Sequence, residues 1–370
     1  MDRRNGTVVR SVLASIVLAG PVAAPLAQAL PSSATIDTAS LRRTVDSIRV
    51  ATDIPGASVA LVLADGRTWA AASGVATGAG APVSTDMVFE IGSVTKTFVA
   101  ALVLDLAAAG VLSLDDPLSR WVPGFPHADG VTIRHLLQHT SGLHNYAETA
   151  GYIPALRSDF TRRWTPEDSY RFMKDPYFRP GEGWHYSNAN YLLLGQVVEA
   201  ATGKQFAAVL RSRLLEPQGL TGTFYGATEE VAADVAHAFL DINGDGKAED
   251  LTSLVPNTSF ITAAGAAGAI VATASDVARF AHALFTGQIV RGPWFDEMRR
   301  SVERGDGSRH GLGFIHYTRD DVELLGHKGN TAGYSAAMWH DVRLGATVVV
   351  LTNKHAADVT PLARALLRGL

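Results

Sequence analysis

The stretch from Ser93 to Ala109 constrains this chain more than any other. It is apolar nearly all round a helical turn, so a helix there has no face to give to water and must be buried. Gly110 stands where such a helix would end. Burying a whole helix needs a deep core. The chain has 370 residues, 47% of them hydrophobic, which is enough to build one. Single cores stop growing near about 250–300 residues, so two lobes are expected. The same composition excludes other classes. With 18% charged residues and a formal net charge of −4, the chain is too apolar and too nearly neutral for disorder. No Glu/Lys-rich heptads mark a coiled coil. No apolar run reaches the roughly 18 residues of a membrane-spanning helix.

The absence of Cys removes disulfides and thiolate chemistry. No Lys/Arg cluster forms the basic patch of a nucleic-acid binder, so no nucleic-acid partner is expected. The N-terminus reads as a signal peptide over residues 1–29. Arg3, Arg4 and Arg10 form a positive region, Ser11 to Leu26 an apolar one broken by Pro21 and Pro25, and Ala27-Gln28-Ala29 fits the small-x-small rule for cleavage after Ala29. An uncleaved anchor is the alternative. The expected location is secreted or periplasmic, in the cell envelope, with no stable membrane span once the signal is removed.

Leu41, Val45 and Ile48 recur at helical spacing, with Asp37 or Thr38 at the N-cap. Ser58 to Leu63 and Thr68 to Ser73, joined by Asp65-Gly66, read as a hairpin. The middle, about 93–285, reads as mostly helical: Thr132 to Gln138, Ala189 to Ala201 closed by Gly203, and Ser275 to Phe285. Strands return at Leu312 to Tyr317, Val322 to Gly326, Gly333 to Trp339 and Ala346 to Leu351, and a helix with Pro361 at its first position closes the chain. This order predicts an α+β domain over residues 30–370. An antiparallel sheet is built from both chain ends (about 38–92 and 286–370) and flanked by helices, with a mostly helical lobe (about 93–285) inserted between them.

Three short motifs carry chemistry. Ser93-Val94-Thr95-Lys96 opens the buried helix and puts Ser93 and Lys96 on one face, three residues apart. The partly positive helix N-terminus and burial both lower a lysine pKa, which favours a neutral amine beside a hydroxyl. Chance produces this spacing often, and an N-cap serine explains it structurally. Tyr186-Ser187-Asn188 follows a Pro180-Gly181 turn and opens the next helix. A phenol near an ammonium has a lowered pKa and can shuttle a proton; the structural alternative is a staple and cap. In Gly326-His327-Lys328-Gly329-Asn330, at a strand end, the glycine lets another backbone approach. A substrate amide could then lie as an added strand; the alternative is a plain hairpin turn.

Together, in this order and at intervals of 93 residues (Ser93 to Tyr186) and 141 (Tyr186 to His327), the motifs resemble those of the penicillin-recognising serine hydrolases. The likeness is to the branch of secreted D-alanyl-D-alanine carboxypeptidases and class C β-lactamases. Phe89-Glu90-Ile91-Gly92-Ser93, Leu136-Leu137-Gln138-His139-Thr140-Ser141-Gly142-Leu143, Tyr186-Ser187-Asn188-Ala189-Asn190-Tyr191 and Val348-Val349-Val350-Leu351-Thr352-Asn353 match as well. The resemblance implies the β-lactamase/DD-peptidase fold and, with no cofactor, a serine hydrolase. Carboxypeptidase-like action on D-alanyl-D-alanine ends comes first, with a β-lactamase, an esterase or a silent peptidoglycan-binding relative as alternatives. Substrates would be small peptides, β-lactams or esters, with peptidoglycan a further partner. It also implies roles. Ser93 is the nucleophile, Lys96 takes its proton and Tyr186 serves as base and acid. Asn188 holds Lys96 and the substrate amide, and His327 orients Tyr186. The Ser93 and Asn330 backbone N–H groups form the oxyanion hole, with Gly329 a supporting residue. Lys328 departs from the family, which often has Thr or Ser there to meet a substrate carboxylate. Strand alternation would turn Lys328 away from the His327 side; the alternative is that it reaches the cleft and offers a charge in place of a hydroxyl.

No metal site is expected. Asp241 to Glu249 resembles a calcium loop, but Thr252 stands at its twelfth position without the bidentate acid, and a solvated turn explains it. His135 and His139 lack the Glu of a zinc-protease helix. Gly-x-Ser-x-Gly is absent, which argues against an α/β-hydrolase elbow.

Overall fold

The computed structural model describes residues 36–319 and 322–370. The signal-peptide segment, 1–29, lies outside the described residues. Helix α1 (Thr38–Ala51) starts as expected: Asp37 is its N-cap and accepts from Ser40 N at 2.9 Å. Strands β1 (Gly56–Val62) and β2 (Thr68–Gly74) form the antiparallel hairpin. After a 3-10 turn at Gly92–Val94 comes α2 (Thr95–Ala108), in which every residue but Asp105 and Ala108 is buried. The long helices that follow are α3 (Asn188–Thr202), closed by Gly203 in the left-handed conformation, α4 (Thr258–Gly268) and α5 (Ala274–Phe285). The C-terminal part runs β3 (Val302–Glu303), β4 (Arg309–His310), β5 (Ile315–Arg319), β6 (Val322–Thr331), β7 (Tyr334–Asp341), β8 (Ala346–Thr352) and α6 (Thr360–Arg368).

The eight strands form one antiparallel sheet in the order β2-β1-β8-β7-β6-β5-β4-β3. The first hairpin therefore pairs with the chain's last strand, Val59 opposite Val350. Strands β1, β7 and β8 are buried along their whole length. They read as continuous apolar runs because both sheet faces are covered. Residues of α1 and α6 pack with Val59, Leu61, Val348 and Val350 on one face. Helices α2 and α5 pack with Ala60, Val62, Val349 and Leu351 on the other. Helix α5 thus lies against the sheet, although it ends the helical stretch in sequence.

Two expectations need correction. β5 begins at Ile315, not Leu312, because residues 312–314 fold back onto α2, where Thr97 Oγ1 donates to Gly313 O at 2.8 Å. β6 continues past Gly326 to Thr331, so the His327-Lys328-Gly329-Asn330 segment is strand rather than turn.

Candidate active site

The 3-10 turn places Ser93 on the surface of the buried α2, and Lys96 sits one turn further in, with no exposed surface. Lys96 Nζ has three neighbours: Ser93 Oγ at 3.1 Å, Asn188 Oδ1 at 2.9 Å and Ala267 O at 2.6 Å. The last two oxygens can only accept, so Nζ donates to both. Burial holds the Lys96 pKa well below the usual ammonium range. The third neighbour, Ser93 Oγ, faces the same nitrogen, which can take the hydroxyl proton once the amine is neutral.

Tyr186 enters from the turn before α3 and lies beneath the same amine, with Lys96 Nζ 5.0 Å from its ring centre. Its phenol oxygen is buried and makes no hydrogen bond among the described residues. Burial pushes its pKa up, against a smaller downward pull from Ser93 close by and from Arg304. The expectation of a lowered phenol pKa is thus reversed: burial of the phenol outweighs its polar neighbours. Tyr186 keeps its proton beside an amine whose own pKa burial lowers.

Three histidines that burial keeps neutral cluster here: His139 and His327 lie beside the Tyr186 ring, and His310 packs against both of them. His139 lies over the Tyr186 ring, centres 4.4 Å apart, and its Nδ1 accepts from Ser187 N at 3.1 Å. That assigns its proton to Nε2 and fixes the entrance to α3. His327 is 3% exposed, its ring 6.2 Å from that of Tyr186, and its Nδ1 donates to Lys328 O at 2.6 Å. Its lone pair on Nε2 is left without a partner. His310 Nδ1 bonds Gly311 O at 2.8 Å in the same way. Burial is the largest cause that lowers all three pKa values; in His310 and His327 the backbone carbonyl bond works against it.

Strand β6 closes the site. Its pairing with β5 stops at Gly326, so residues 327–331 are bound to β7 alone. His327, Gly329 and Thr331 share one face by strand alternation. A Cβ on Gly329 would lie 1.9 Å from Ile91 O and 3.1 Å from Ser93 N. A Cβ on Gly92, whose φ is +51°, would lie 2.8 Å from Asn330 N. Only two glycines allow the Ser93 turn to press on the strand and bring the backbone N atoms of residues 93 and 330 to one place. Lys328 is exposed on the opposite face, in a cleft shared with Trp339 and Arg364. The Asn330 side chain turns to Ser335, whose Oγ donates to its Oδ1 at 2.8 Å.

Residues 41–369 match the Beta-lactamase family. This chain belongs to the beta-lactamase family. It is 29% identical over 286 residues to Penicillin-binding protein 4* of Bacillus subtilis, covering 74% of this chain and 62% of that protein. It is 43% identical over 155 residues to Esterase EstB of Burkholderia gladioli, 38% of this chain and 39% of the other. It thus spans less than two thirds of the length of these curated relatives. A D-stereospecific amidohydrolase from Streptomyces superposes with a TM-score of 0.78 at 28% identity, covering 90% of this chain and 99% of that one. The antiparallel sheet with flanking helices is the fold of the family. No helix among the described residues is long and apolar enough to cross a membrane.

In this family member, Ser93, Asn188 and Asn330 open into a cavity of about 400 Å³, walled largely by Tyr146, Tyr152, Leu156, Leu240 and Phe260. Sequence reasoning gave no role to Ala267, His310, Arg304 or Glu90. Glu90 carried a signal: an acid between Phe89 and Ile91, both apolar, is an acid destined for burial. It is 6% exposed and lines the cavity. Asn257 Nδ2 donates to its Oε1. Next to the cavity-lining Leu240, Asp241 to Glu249 forms Asx turns, Gly244 N donating to Asp241 Oδ1 at 2.6 Å. Carboxylate oxygens of Asp241, Asp245 and Glu249 lie within 4.8 Å of one another there.

Proposed function

We propose that this chain hydrolyses amide or ester bonds through an acyl-enzyme on Ser93, with a bulky apolar acyl group in the adjoining cavity. The observation that carries the reading is the buried amine of Lys96, held by two acceptor-only oxygens and 3.1 Å from Ser93 Oγ. Lys96 Nζ takes the hydroxyl proton as Ser93 Oγ bonds to the substrate carbonyl carbon. The oxyanion that forms meets the N–H groups of Ser93 and Asn330; in such sites one donor is worth roughly 3–4 kcal/mol. As the intermediate collapses, the C–N or C–O bond breaks, and the proton reaches the leaving group through Tyr186, whose raised pKa keeps it protonated. Water then adds to the acyl-enzyme and loses its proton by the reverse route, releasing the acid and restoring Ser93.

The cavity supports the choice of acyl group, since a D-alanine methyl would leave most of its aromatic wall in contact with water. Lys328 supplies no hydroxyl to the cleft, which further weakens the case for carboxylate-bearing ends. The D-alanyl-D-alanine carboxypeptidase reading remains second. It is favoured by Arg157, exposed at the same cavity and with no hydrogen bond or ion pair among the described residues. Export to the cell envelope, suggested by residues 1–29, belongs to the same proposal.

The test is a panel: a p-nitrophenyl ester, an aromatic D-amino acid p-nitroanilide, a D-Ala-D-Ala peptide and nitrocefin, with fluorophosphonate labelling of the wild type and of Ser93→Ala. A Ser93 adduct with turnover of the first two substrates is expected. Preference for the peptide would move the assignment to the carboxypeptidase. Absence of both adduct and turnover would sink the hydrolase.

A further inference from the structure

Acyl transfer through Ser93 and Lys96 makes no use of Glu90. The residue lies in a short strand, Phe89–Glu90, paired to Val271. The residue lines the Ser93 cavity and makes no ion pair with any described residue. Asn257 is the neighbour that orients it. Asn257 stands at the N-cap of α4 but makes no capping bond with its side chain; the amide is turned to Glu90 instead. Thr331 lines the cavity too. Its Oγ1 is buried and lies near the same carboxyl without completing a hydrogen bond. The other charged or titratable groups near Glu90 do not neutralise it. Arg157, on the short helix Tyr152–Ser158, lines the same cavity but is exposed and makes no ion pair with Glu90. His355 turns its Nδ1 to Thr331 O at 2.7 Å. Tyr334 spends its hydroxyl on Ala236 O.

A buried carboxylate without a counter-charge is costly, and a ligand that brings one is favoured there. We propose that Glu90 and Thr331, oriented by Asn257, form a subsite for a protonated amine on the acyl side of the substrate. This rests on Ser93 being the nucleophile of the cavity. An ammonium carries three donors and no acceptor, which suits the carboxyl of Glu90, whose one amide donor is Asn257, and the Thr331 hydroxyl oxygen beside it. The spacing suits a near amine. Thr331 lies two residues beyond Gly329 on the same face of β6, roughly 7 Å along the strand from the Ser93 turn. An α- or β-amine on the acyl group, with a charge-assisted hydrogen bond of about 2.8 Å, spans that gap. The substrate class is therefore an amide or ester of an amino acid whose amine is free.

The experiment compares two substrates alike in all but the amine: phenylalanine p-nitroanilide, as the better of its D and L enantiomers, and hydrocinnamoyl p-nitroanilide. The wild type is expected to favour the amine-bearing one by about tenfold or more in kcat/KM. Glu90→Gln is expected to bring the ratio to within about threefold of unity while hydrolysis of hydrocinnamoyl p-nitrophenyl ester persists. A ratio unchanged by Glu90→Gln, or a wild type indifferent to the amine, overturns the subsite. Loss of the Ser93 fluorophosphonate adduct in the wild type would instead overturn the acyl-enzyme reading beneath it. Should Glu90→Gln not fold, inhibition of the wild type decides: phenethylamine binding about tenfold tighter than phenethyl alcohol supports the subsite, and equal binding overturns it.

Discussion

Lys96 and Glu90 stand three residues to either side of Ser93, and both are buried. Burial moves both pKa values toward neutrality, down for the amine and up to about 7 for the carboxyl. Their surroundings differ. The protein completes the environment of Lys96, with two acceptors and one hydroxyl around its nitrogen. It does not complete that of Glu90, which has one neutral amide and a hydroxyl out of bonding geometry. A buried group that the fold satisfies can act on a substrate without help. A buried group that the fold leaves short awaits something from outside.

The largest effect should come from breaking the satisfied side. Lys96→Ala is expected to lower kcat by about 10³-fold or more for ester and amide alike, since it removes the acceptor of the Ser93 proton. Activity of the wild type should rise with pH as the Lys96 ammonium loses its proton, because only the neutral amine can act; the variant should lose that limb. Turnover within about tenfold of wild type would remove Lys96 from the mechanism.

Tyr186→Phe sharpens the same side. An anilide or amide leaving group needs a proton and a p-nitrophenolate does not. The variant should therefore lose about 10²-fold on the p-nitroanilide but only a few-fold on the p-nitrophenyl ester. Equal losses on the two would show that the phenol supports the fold rather than delivering a proton.

The two sides were not equally legible in the sequence. Ser93, Lys96, Tyr186, Asn188 and His327 stand in short motifs whose order and spacing survive in one dimension. The helices with clear periodicity, and the β1–β2 hairpin, were legible for the same reason. The extent of β6 was not. Gly326, Gly329 and Asn330 look like turn residues, and what keeps them extended is pairing with β7, Gly329 opposite Ala336. The direction of the Tyr186 pKa runs against the expectation because burial of the phenol, which only the fold decides, outweighs its polar neighbours. Glu90 was quoted within a matching segment, but its isolation depends on Asn257 and Thr331, residues 167 and 241 positions away.

The unsatisfied side can be tested without substrate. An ordinary glutamate loses its proton near pH 4.5, and Glu90 in the folded chain near 7. Between those values the folded state holds a proton that the unfolded state has lost. Stability therefore falls as pH rises through this window, and the penalty is complete above about pH 7. Its size is on the order of 3 kcal/mol. Glu90→Gln keeps an acceptor for Asn257 and removes the penalty. The variant should match the wild type in thermal melts at pH 4 and exceed it at pH 8. An equal or lower melting temperature at pH 8 would mean that the carboxylate has a counter-charge within the fold.

The smallest effect should come from Lys328, which sits in the third motif yet belongs to neither side of the comparison. Strand alternation puts it on the face of β6 opposite His327 and Gly329, beside Trp339 and Arg364. Lys328→Thr restores the residue type common in the family but would place the hydroxyl in that outer cleft, facing α6. Turnover of nitrocefin and of the p-nitrophenyl ester should both stay within about twofold of wild type, the scale of exposed substitutions. A gain of tenfold on nitrocefin alone would mean that position 328 reaches the substrate. The free segment of β6 would then have to twist in the complex, carrying Thr331 away from Glu90 as it does so.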